Sequence, residues 1–190
     1  SSTPKRSITF AAVTAEEQGR FGSRYFANHP TIELRNIVAL INMDSLDITG
    51  MKSNLTVVGF GKSELENYLA KAAKRQSREL VAEQTPERGY YYRSDHFSLA
   101  KKGVPALSAG GGSIWLNEQQ QKIGDAVKAL VAKCYHQTCD EYNENWGWQG
   151  MIAELQVFFE TGYLLANNEV WPNWHVGTEF KAARDAMLKE

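Results

Sequence analysis

Asn36-Ile-Val-Ala-Leu-Ile-Asn-Met43 is a run of β-branched and aliphatic residues that stops abruptly at Asp44. A strand covered on both faces reads as such a continuous apolar run, whereas a half-exposed one alternates. Ser7-Ile-Thr-Phe-Ala-Ala-Val13 repeats the design earlier in the chain and is followed by Glu16 and Glu17. Asn54-Leu-Thr-Val-Val-Gly59 and Val104-Pro-Ala-Leu-Ser108 read as two further buried strands, the second with Pro105 near its start, where a missing donor costs least. Helices fill the intervals. Ser63 with Glu66 forms a capping box for a helix reaching about Gln76, with Leu65, Leu69, Ala72 and Ala73 on one stripe. Ser94 or Asp95 caps a short helix that Gly103 ends. Met151, Ile152, Leu155, Phe159, Gly162 and Ala166 recur at helical spacing and predict a long helix over 149–168. Strands interleaved with helices imply an α/β layered fold with a largely parallel sheet, in one domain spanning 1–190. The aromatic segment Trp171–Phe180 is expected to wrap across that domain before a last short helix.

Composition limits the functions on offer. With 43% apolar and 11% aromatic residues, the 190-residue chain can bury a sizeable core. Lys+Arg 21 against Asp+Glu 22 leaves a formal charge of -1, and the basic residues are scattered, which argues against nucleic acid as a partner. No apolar run reaches the roughly 18 residues that would span a bilayer, and Ser1-Ser-Thr-Pro-Lys-Arg-Ser7 does not resemble a signal peptide.

The acids carry more information than the composition. In open α/β sheets ligands bind outside the carboxyl ends of strands, where Glu16, Glu17 and Asp44 are expected. Thr14-Ala-Glu-Glu-Gln-Gly19 follows an apolar run and ends in glycine, so the adjacent glutamates belong to a tight strand-to-helix turn. One carboxylate can then hold a metal while its neighbour handles a proton. His136 lies in the polar stretch Tyr135-His-Gln-Thr-Cys-Asp-Glu-Tyr142, and zinc accepts imidazole together with carboxylate.

Five blocks occur in a family order. These are Ala15-Glu-Glu-Gln-Gly19, Asn42-Met-Asp-Ser45, Tyr92-Arg-Ser-Asp-His-Phe97 with Ala100-Lys-Lys-Gly-Val-Pro-Ala106, Tyr135 to Tyr142, and Trp171-Pro-Asn-Trp174. Together they resemble the M28 zinc aminopeptidases, particularly an exported bacterial branch, over essentially the whole chain. The resemblance implies a three-layer α/β/α zinc-hydrolase fold and removal of N-terminal residues from peptide substrates. It also implies two zinc ions and a periplasmic or secreted location, with any export signal upstream of Ser1. Glu16 would be the general base, Glu17 and His136 would ligate one zinc, and Asp44 the other. Tyr91, three residues before Ser94, resembles a tyrosine that faces the substrate carbonyl, although Tyr90 and Tyr92 compete for that register; Ser94 would support the substrate site.

The resemblance also implies an upstream His-x-Asp motif that completes the metal site, and no His-x-Asp occurs in this chain. The expectation is therefore a C-terminal portion of the catalytic domain, with an incomplete metal site, no appreciable activity alone, and an unpaired sheet edge open to self-association. A glutaminyl cyclase-like zinc enzyme and a non-catalytic peptidase-fold binding domain are the alternatives. Ser94, Asp95 and His96 are consecutive and diverge, so they form no hydrolytic triad. His29 and His175 read as surface or packing histidines. Cys134 and Cys139 flank His136 and leave two choices, a local disulfide or two free thiols, with export favouring the disulfide.

Overall fold

Alternation along the strands decides which side chains meet which helices. Leu55 and Val57 of β2 (Asn54–Val58) point to one face with Leu107 of β4 (Ala106–Gly110) and Ile41 of β1 (Leu40–Asn42). Against them pack α2 (Leu65–Lys74), through Leu65, Leu69, Ala72 and Ala73, and α5 (Trp148–Asn167), through Val157, Phe158 and Leu165. Leu40, Val58 and Ala106 point the other way, onto a second cluster containing Tyr91, Ala100, Trp174 and Phe180. A period of two in a sheet thus produces helices on both faces.

The computed structural model describes residues 3–189. Its sheet has the order β1-β4-β2-β3, where β3 is Glu79–Ala82. The β1–β4 and β2–β3 pairings are parallel and β2–β4 is antiparallel, so the single sheet is mostly parallel, as expected. Around it lie α1 (Phe21–Asn28), α3 (His96–Ala100), α4 (Glu118–Cys134) and α6 (Lys181–Met187). The aromatic tail wraps as its composition suggested. Trp174 is 2% exposed, its indole donates to the Gly103 carbonyl at 2.9 Å, and its backbone bridges to Ser63. Gly103 adopts φ +98°, and a Cβ there would meet the Arg184 backbone nitrogen at 2.6 Å. Glycine is required at this position on both counts.

Several expectations are corrected. Ser7–Val13 is not a strand: Phe10 is 84% exposed, and the segment's backbone finds no ladder partner in the four-stranded sheet. Of Asn36–Met43 only three residues pair, because Leu34–Asn36 winds into a short 3-10 turn first. The capping box at Ser63 does not form. The Glu66 carboxylate instead accepts the Gly61 and Lys62 amides, at 2.8 and 3.0 Å, and Ser63 pairs with the tail. Helices α1 and α4 and strand β3 are additional to the expected elements.

Candidate active site

The glutamate pair sits where the local backbone is tightest. The Gly19 and Arg20 amides both donate to the Glu16 carbonyl, at 2.9 and 2.8 Å, and Phe21 donates to Ala15, so the turn runs directly into α1. Ala15 and Arg20 both adopt φ +58°, a left-handed conformation that costs a side-chain-bearing residue of order 1 kcal/mol. Glu16 is half-buried and its pKa is raised, first by partial burial and then by the negative charges of Glu17, Asp44 and Asp95, with Arg20 opposing. One carboxyl therefore feels three acids from three separate segments.

Asp44 lies just past the end of β1. Its Oδ2 accepts the Ser94 hydroxyl at 2.8 Å, its Oδ1 accepts Ser45 at 3.0 Å, and the Ser94 oxygen accepts the Asn42 side-chain amide at 2.9 Å. Ser94 thus orients Asp44 rather than capping α3. Below this layer a buried polar cluster fixes the loop after β1. Glu154 of α5, 1% exposed, accepts the Asp47 amide at 2.9 Å through Oε2 and the Gly111 amide through Oε1. Asp47 in turn receives the Lys52 ammonium at 2.8 Å and the Thr49 amide at 2.8 Å. Burial and the neighbouring Asp47 charge raise the Glu154 pKa, against the pull of the Asp47 and Gly111 amides and of Arg78.

His136 follows α4 at φ +59°, inside a six-residue loop that the Cys134–Cys139 disulfide closes. The bridge resolves the choice that the sequence left open. The His136 ring stacks on Tyr135 with centroids 3.9 Å apart, and its Nε2 meets Glu17 Oε1 at 2.9 Å. Residues 17 and 136 are therefore in contact. Two ligands of a tetrahedral zinc, each bonded at ~2.0–2.1 Å, stand about 3.3 Å apart, so the pair has the chemistry and nearly the separation of a half-built site. Among the described residues, however, no group of three His, Cys, Asp or Glu side chains converges to hold a metal ion. The donor type fits zinc and the donor number does not.

Tyr91 is corrected outright. It is 3% exposed, its hydroxyl donates to the Ala106 carbonyl at 3.2 Å, and burial raises its pKa, so it does not present a donor to a substrate carbonyl. His96, on the same cluster, is fully buried and packs edge-on against Tyr91 at 4.6 Å. Neither His96 ring nitrogen reaches a partner at hydrogen-bond geometry, and burial followed by the Arg20 charge lowers its pKa to about 4, with the Asp44 charge opposing. His29 stacks on Tyr25 and His175 contacts the Gly61 carbonyl at the surface, both outside the acid cluster. Sequence reasoning read Asp95 only as a helix cap and passed over Glu154. Glu154 shares a helical stripe with Gly150, Val157, Phe158 and Thr161, so a charge on a buried face was its available signal.

Glu17 and Asp44 are exposed, and Glu16 is half-buried beside them. A groove of about 620 Å³ is lined by residues such as Phe60, Lys74 and Leu80 and by none of Glu16, Glu17, Asp44 or His136.

Residues 1–159 match Peptidase family M28. The chain belongs to that family. Its fold is similar to that of the aminopeptidase from Aneurinibacillus sp. strain AM-1, with a TM-score of 0.50 and 17% identity over 81% of this chain. The matched part covers 32% of the aminopeptidase chain, so this M28 member spans about a third of that relative's length. At that identity the likeness establishes a shared fold, and the family match establishes membership of the M28 family.

Proposed function

We propose that this chain carries part of the active site of a zinc-dependent aminopeptidase, one that hydrolyses the N-terminal peptide bond of its substrates. The observation that supports it is the meeting of Glu17 and His136 at 2.9 Å beside a Glu16 whose carboxyl is electrostatically coupled to Asp44. Glu17 and His136 would hold one zinc and Asp44 the other. Bound there, the metal would supply Lewis acidity toward the scissile carbonyl and acidify water. Because these residues provide two donors and one, below the usual three or four, no step is assigned to metal held by this chain alone.

The chain's own residues have separable tasks. Glu16, with its raised pKa, accepts a proton from the attacking water and returns it to the leaving amine; a base closer to the working pH does both better. Ser94 and Asn42 hold Asp44 in register with the end of β1. The disulfide holds the turn that presents His136. Among the described residues no helix is long and apolar enough to cross a membrane, and the disulfide is in keeping with an exported protein.

Glu16→Gln, introduced into a protein that carries the complete site, tests the assignment. Turnover of N-terminal peptide substrates falls by ~10²–10⁴ while zinc content holds. Assay of released amino acid and of ammonia separates peptide hydrolysis from glutaminyl cyclisation. Undiminished turnover in the variant removes Glu16 from the mechanism.

A further inference from the structure

We infer that the loop 140–147, together with Trp148 at the start of α5, is a subsite for a basic side chain, lysine or arginine, of a bound peptide; this rests on the peptidase reading above. Three aromatic rings gather there. The centroids of Tyr142 and Trp146, Tyr142 and Trp148, and Trp146 and Trp148 are 5.7, 5.7 and 5.4 Å apart, and none of these rings belongs to the three core clusters. The Asn145 amide closes on the Asn143 side chain at 2.8 Å and the Trp146 amide on the Asn143 carbonyl at 3.2 Å, a tight turn that folds Trp146 back onto Tyr142. Tyr142 is 68% exposed, so the cluster has an open face.

Its position ties it to the candidate site. One end leaves Cys139, whose bridge encloses His136. The other is anchored by Gly147, whose amide donates to Ile48 at 2.6 Å and whose backbone bridges to Thr49, in the segment that follows Asp44.

The charge pattern selects the occupant. Between Lys133 and Lys181 the chain contains no lysine or arginine. Four acids in this stretch find a cation elsewhere: Glu160 with Arg75, Glu169 with Lys5, Glu179 with Lys62, and Glu154 within electrostatic reach of Arg78. The other three, Asp140, Glu141 and Glu144, are exposed and form no ion pair among the described residues. All three lie within two residues of Tyr142. An aromatic face is attractive to a cation, and unpaired carboxylates in the same loop add to that attraction. An apolar side chain would gain nothing from the carboxylates, and an acidic one would be repelled.

Calorimetric titration of the purified chain with Arg-Ala-Ala, Lys-Ala-Ala, Leu-Ala-Ala and Glu-Ala-Ala at low ionic strength tests this. All four share the same terminal amine, so a difference reports the side chain. The Arg and Lys peptides bind roughly tenfold more tightly than Leu-Ala-Ala, with Glu-Ala-Ala weakest. Tyr142→Ala and Glu144→Gln, both at exposed positions, each narrow that preference roughly two- to fivefold. Equal binding of the four peptides, or a preference that survives both substitutions, overturns the subsite. Because binding is read without turnover, this outcome is independent of whether Glu16 acts as the base.

Discussion

Glu16 and Glu17 are neighbours with different surroundings, and the difference divides their work. Glu17 is exposed and spends its carboxylate on His136, whereas Glu16 is drawn inward among like charges and holds its proton more readily. A second residue-scale consequence concerns His96, whose pKa falls from the ordinary 6.5 to about 4 on burial. The unfolded chain takes up this proton near pH 6.5 while the folded chain resists it, so His96 favours folding fully above pH 6.5 and progressively less as pH falls toward 4. The loss at the acid end is roughly 3 kcal/mol. His96→Leu should flatten that part of the curve, which thermal melts at pH 7 and pH 4.5 will read; an unchanged acid slope would assign the sensitivity to other groups.

At the scale of elements, the tail and the His136 turn are held by different means. Trp174 fills the cluster of Tyr91, Ala100 and Phe180, so Trp174→Ala should cost about 3–5 kcal/mol and lower the melting temperature throughout. The Cys134–Cys139 bridge closes too short a loop for a large global effect, about 2 kcal/mol in the chain-entropy account. Its reduction should speed amide exchange between residues 134 and 142 while leaving β2 and β4 protected. Uniform loss of protection would make the bridge a global support instead. The strands at 54–58 and 106–110 were legible because burial writes itself into a continuous apolar run. Ser7–Val13 has the same writing, but pairing depends on a neighbour that composition does not encode. Helix α4 escaped notice because its buried stripe is Gln120, Gly124, Val127 and Cys134, in which glutamine and glycine break the apolar period. Asp44 does follow a strand, as its apolar run suggested, whereas Glu16 and Glu17 follow an unpaired segment and take their place from the turn into α1. Tyr91 was not, since three consecutive tyrosines differ only in which ring the 3-10 turn directs inward.

For the molecule as a whole, the incomplete donor set and the exposed apolar surface lead to linked expectations. The purified chain should carry less than one zinc per molecule by elemental analysis and show no appreciable peptide turnover; stoichiometric dinuclear zinc would contradict the ligand assignment. Ile8, Phe10 and Met43 stand exposed on the segment before the Glu16 turn and beside the end of β1, one of the two outer strands of the sheet. Light scattering should detect concentration-dependent association that Phe10→Glu reduces, and a monomer at all concentrations would exclude it. The twin acceptance of the Asp47 and Gly111 amides by Glu154 bears on exchange rates. Drawing the loops after β1 and β4 apart would strip a buried carboxylate of a partner, so that side of the site is stiff on the timescale of ligand entry. Compliance is left to the exposed turn of residues 136–146. Ligands should therefore arrive and depart past the histidine, at a pace that the disulfide-closed turn sets and the sheet does not.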